Sequence, residues 1–133
     1  MKFNFRIPIV DSDVYIMVGD DLVGMAKKVI AEHGQYCEEE WYDVFKDARA
    51  VAFDIDAKRG KHGIVFLREE LDDFLVAHEI WHLVFNICEA SGIKFDSSEL
   101  CANIAGHVYE RVIGFMMLEG AENTKNSSKN PKP

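Results

Sequence analysis

From Phe74 to Cys88 the chain reads FLVAHEIWHLVFNIC, a run in which nearly every residue is apolar and only His78, Glu79, His82 and Asn86 interrupt. The apolar positions surround a helical wheel instead of forming one stripe, which predicts a helix buried on most sides. Acids at its start (Glu69, Glu70, Asp72, Asp73) favour the positive end of the helix dipole, and Gly92 supplies a stop. The predicted helix therefore spans Leu71 to about Ala90.

The polar interruptions are ordered. His78, His82 and Asn86 follow at i, i+4 and i+8 on one face, and Glu79 lies one residue round from His78. This is HExxH, in which two imidazoles one turn apart can hold one zinc ion while the adjacent glutamate faces the water bound to it. A chance HExxH at this composition arises in about 2% of shuffles, so the string needs its context. That context is chemical: burying two imidazoles and a carboxylate without partners is costly, and a metal ion with its water would satisfy all three.

A zinc site of this kind needs a third protein ligand. Glu89 is seven residues beyond His82 on the same helix, about 10 Å along the axis, too far to share the ion. Asp96, Glu99 and His107 remain, at the start of or within the next helical stretch, about Ser97 to Leu118. Glu99 is the best placed, because a short link around Ser91-Gly92 folds that helix back beside the first. Ala102 and Gly106, small residues on the face of Glu99, would permit a close approach. Its rival role is local, since Asp96-Ser97-Ser98-Glu99 has the form of a capping box. His107 lies about 80° round the helix from Glu99, which suits an outer contact to Glu99 or to substrate better than ligation. Tyr109 and Tyr36 are candidate donors to an oxyanion, and Asn86 a candidate supporting residue. His33 and His62 fall in predicted turns or loops and read as surface residues.

The remaining segments predict an α+β domain. Phe3, Phe5, Ile7 and Ile9 alternate with other residues and VYIMV follows Asp11-Ser12-Asp13, suggesting one or two strands, with Pro8 placing the first at a sheet edge or outside the sheet. A helix is expected from Asp20 to about His33, and a short one within CEEEWYDVFKDARA. Ala50–Ile55 and Gly63–Leu67 read as strands joined by the polar DAKRGKH. At 133 residues and 48% hydrophobic content, one domain over residues 1–118 is expected, followed by a disordered polar tail over 119–133.

The formal charge of −8 offers no basic field for nucleic acid or an anionic membrane. Three cysteines without a CxxC pair argue against a disulfide framework or a thiolate zinc site. No run approaches the roughly 18 apolar residues of a membrane span, and no signal peptide is visible, so an intracellular (cytoplasmic) protein is expected.

H78-E-I-W-H82 followed by E99-L-C-A-N-I-A-G resembles the gluzincin metallopeptidases, in particular their minimal forms and small HExxH proteins of bacteriophages and prophages. The resemblance covers about residues 63 to 112. It implies a small zincin-like domain, a short mixed sheet packed on an active-site helix and a following C-terminal helix. It further implies His78, His82 and Glu99 as zinc ligands, Glu79 as general base and acid, and a peptide or protein substrate aligned along GIVFL as a sheet edge. Gluzincins with a full cleft carry a further domain with oxyanion-stabilising residues, a role no residue here takes from the resemblance. The rival expectation is a catalytically silent zinc protein that captures a partner through its edge strand.

Overall fold

Strand β1 (Lys2–Ile7) runs antiparallel to β2 (Ser12–Gly19), and Pro8 follows directly as the first residue of a 3-10 turn that ends at Asp11 with φ 49°. Proline has no N–H to give to a ladder, so β1 ends there. The structure, a computed structural model, describes residues 2–129, with side chains described for 2–120. Two further strands, β3 (Ala50–Asp56) and β4 (Lys61–Leu67), complete a mixed sheet of order β1-β2-β4-β3. β4 pairs parallel with β2 and antiparallel with β3.

Helices cover both faces of the sheet. On one face α1 (Leu22–Glu32) and the short α2 (Asp43–Lys46) pack Ala26, Ile30 and Phe45 against Met17, Phe53 and Val65. On the other, α3 (Asp73–Ala90) and α4 (Glu99–Lys129) pack Leu83, Ile87, Ile104 and Val108 against Val14, Ile16, Ile64 and Phe66. The chain is thus an α+β domain, as its segment pattern predicts. None of the described helices is long and apolar enough to cross a membrane.

Two expectations are corrected. GIVFL is not a sheet edge: β4 lies between β2 and β3, and the edges are β1 and β3. The reason is burial, because Ile64, Val65 and Phe66 are all 0% exposed and need cover on both faces and both sides. The boundary at Leu118 also moves. α4 continues to Lys129, and Glu119, expected to open a disordered tail, is buried and accepts from Arg68 Nε at 3.3 Å. Residues 130–133 of that expected tail lie outside the described residues.

Helix α3 starts where its acids predict. Asp72 is extended (φ −149°) and its carboxylate accepts from the Leu75 N–H at 2.7 Å, satisfying one of the helix's orphan donors. Replacing Asp72 with Ala is expected to cost about 1 kcal/mol in urea denaturation. A loss below about 0.3 kcal/mol would show that the cap contributes little to holding the helix.

Candidate metal centre

Helix α3 has two unlike surfaces. Leu75, Val76, Glu79, Ile80, Leu83, Val84, Ile87 and Cys88 are buried against the sheet and α4. Phe74, Trp81 and Phe85 are 72%, 62% and 44% exposed, and His78 and His82 are exposed among them. The expectation of a helix buried on most sides is therefore wrong. Sheet and α4 cover less than the full circumference, and the all-round apolar pattern of the sequence includes residues that face solvent.

The two histidines nevertheless converge. Their Nε2 atoms are 3.1 Å apart, with ring centroids at 4.7 Å and planes at 72°. Two imidazole nitrogens on one tetrahedral zinc, each at 2.0–2.1 Å, stand about 3.3 Å apart, so the pair fits such an ion with little adjustment. Without a metal, one Nε2–H donates to the other nitrogen. The Phe74 ring lies against His78 at 6.0 Å, nearly parallel, and limits its rotation.

Of the motif's three ionisable residues only Glu79 is buried, at 6% exposure. Burial pushes its carboxyl above the ordinary glutamate range, opposed by His82, by His78 and by a hydrogen bond from the backbone N–H of Ala52. Ala52 belongs to the edge strand β3, so the carboxylate is held between α3 and the sheet margin, next to the imidazole pair. Sequence reading missed this contact; a backbone donor leaves no trace in side-chain identity.

The remaining candidates stand elsewhere. Cys101 Sγ is 3.8 Å from Cys88 Sγ and donates to the Lys94 carbonyl at 3.0 Å, so α4 begins against the far end of α3. Cys88 is six residues beyond His82, about 9 Å along the axis. Glu99, in the first turn of α4, is exposed there. Ala102 and Gly106 do not line the approach of the helices: Ala102 is exposed, and a Cβ added at Gly106 would meet nothing within 4 Å. Nor is Glu99 the partner in a capping box. Ser98 Oγ accepts from the Cys101 N–H at 3.4 Å, while the Asp96 carboxylate accepts from the Ser98 N–H at 2.9 Å. Hydrogen bonds from Ser98 hold the Asp96 carboxyl below the usual range.

His107 faces the opposite sheet margin, donating from Nε2 to the Arg6 carbonyl at 3.3 Å with its ring beside Phe5. Tyr109 and Tyr36 are exposed, and Asn86 is half-buried on α3. The structure thus brings His78, Glu79 and His82 together and leaves Glu99, His107 and Tyr109 apart from them. Among the described residues no group of three or more His, Cys, Asp or Glu side chains is arranged to hold a metal ion.

His62, read from sequence as a surface residue, is 0% exposed on β4. Its Nδ1 is 2.7 Å from Asp54 Oδ1 on β3, and its Nε2 is buried with no hydrogen-bond partner among the described residues. His33 is half-buried just past the C-terminal turn of α1, with Nδ1 2.8 Å from the Val29 carbonyl.

No family model matches the chain, and no curated protein and no solved structure matches it either.

Proposed function

We propose that the protein is a zinc-dependent peptidase of the HExxH type, with His78 and His82 as ligands and Glu79 as general base and acid. The observation that carries this reading is the 3.1 Å approach of the two Nε2 atoms beside a buried glutamate. Glu99 is the third ligand in this proposal; the structure holds it away from the pair, exposed in the opening turn of α4, whose Cys101 packs on Cys88. A zinc ion held by the pair would supply Lewis acidity and lower the pKa of water towards 7.

The chain's own residues do the rest. Glu79, its carboxylate fixed by the Ala52 N–H, takes a proton from the attacking water and passes it to the leaving amine. The raised proton affinity of a buried carboxyl suits that exchange, because a base nearer neutrality both accepts and returns the proton. The outer edge of β3, beyond the Ala52 N–H that Glu79 takes, is the sheet margin along which an extended peptide can lie. The same edge supports the second reading, a zinc protein that captures a partner by strand addition without cleaving it. An intracellular setting belongs to the proposal, and the free thiols of Cys37, Cys88 and Cys101 accord with it.

Metal analysis of untagged protein tests the reading. About one zinc per chain is expected, falling with His78→Ala, His82→Ala and Glu99→Ala, and a chelator should lower the melting temperature. Less than about 0.1 zinc per chain, with stability indifferent to chelator, would overturn it. Zinc loss with the two histidine variants but not with Glu99→Ala would remove Glu99 from the ligand set alone.

A further inference from the structure

We propose that the outward face of α3, built from Phe74, Trp81 and Phe85, docks a cationic amphipathic segment of a partner polypeptide. These are large rings, 72%, 62% and 44% exposed, spread over about three turns of one helix face with His78 between them, and clustered exposed aromatics on a folded domain mark a contact surface. The rings are ordered in advance. Phe95, from the connection between α3 and α4, stands edge-on to Trp81 at 4.8 Å and to Phe85 at 5.5 Å, while Phe74 is held against His78. A partner therefore meets anchors that lose little freedom on binding.

Charge decides what that partner is. Exposed Asp72 and Asp73 flank the face at the start of α3, and exposed Glu89 and Asp96 flank it at the other end, with Lys94 the single cation in the connection. Apolar anchors framed by acids complement an apolar stripe framed by Lys or Arg. A second copy of this chain would set the same acids against one another, on a molecule of formal charge −8. An anionic membrane would be repelled for the same reason. His78 and His82 lie among these rings, so the proposal is tested on metal-free protein, where its failure is distinct from failure of the zinc reading.

The test uses the full-length protein in chelator and a fluorescently labelled amphipathic Leu/Lys helical peptide, read by anisotropy, with a Leu/Glu peptide as control. The Leu/Lys peptide should bind, more weakly as salt rises, and the Leu/Glu peptide should not. Trp81→Ala and Phe85→Ala should each weaken binding about tenfold with an unchanged circular dichroism spectrum. Asp73→Asn with Glu89→Gln, which leaves every ring in place, should weaken it about threefold and flatten the salt dependence. Equal binding of both peptides, or indifference to Trp81→Ala and Phe85→Ala, would overturn the proposal. Concentration-dependent self-association abolished by Trp81→Ala would overturn it by giving the face to a second copy, and Trp81-dependent binding to anionic vesicles would give it to a membrane.

Discussion

Replacing Glu79 with Gln is expected to lower peptide hydrolysis by roughly 10²–10⁴-fold while zinc content stays at the wild-type level. The amide keeps the shape of the side chain and an oxygen to accept from the Ala52 N–H, but it cannot take a proton from water. Loss of activity with metal retained separates the base from the ligands. Peptidase activity that survives the substitution would end the catalytic assignment of Glu79.

The same variant has an opposite effect on stability. Burial raises the Glu79 carboxyl, so folding favours its protonated form. Its contribution to stability is full below the ordinary glutamate range and is lost as pH rises through the raised value. At neutral pH the metal-free wild type therefore gains less from this group than at acid pH. Glu79→Gln should stabilise the metal-free protein relative to wild type more at neutral than at acid pH, read as a higher melting temperature. The gain should shrink towards zero near pH 4. A substitution that destabilises the metal-free protein at pH 7 would show that His78, His82 and the Ala52 N–H more than offset the burial of the charge.

Replacing Phe66 with Ala is the structural counterpart, with an expected loss of about 3–5 kcal/mol in chemical denaturation. Phe66 is 0% exposed at the centre of the sheet, in the cluster that joins β4 to α3 and α4. Truncation removes the transfer free energy of the ring and leaves a cavity that strands paired on both sides cannot collapse into. The loss is a large share of a typical domain's stability. Val44→Ala, at a residue 60% exposed on α2, should stay within about 0.5 kcal/mol. A Phe66 loss below about 1 kcal/mol would mean that the helix layer closes on the gap.

Local features of the chain carried most of the element pattern. Strand alternation in Phe3, Phe5 and Ile7 and the stop at Gly92 each act within a few residues and appear where the sequence puts them, while the acids before α3 mark its start to within two residues, with Asp72 as the cap. The place of β4 was also legible in principle. GIVFL is apolar without alternation, which is the mark of a strand buried on both faces, whereas AVAFDI carries a polar Asp54 and accepts an edge. Reading GIVFL as the edge gave more weight to its position before α3 than to that composition.

Glu99 and His62 were harder for a different reason. The HExxH spacing places His78 and His82 together through the helix period alone, whatever the rest of the chain does. Glu99 depends on where α4 crosses α3, and that is set by the Cys88–Cys101 contact and the 91–98 connection, which have no periodicity to read. His62 sits in a segment whose polarity resembles a loop. Only strand pairing opposite Asp54 carries it into the interior.

By itself the sequence determined the elements, the α+β class, the pairing of the two imidazoles and the acidity of the surface, because each follows from spacing or composition along one chain segment. Tertiary structure alone decided the rest: which strand is an edge, which side of α3 meets solvent, and that Glu79 is buried while its neighbouring histidines are not. Those outcomes depend on which surfaces the sheet and α4 cover, and an apolar residue has the same identity whether it is covered or left open.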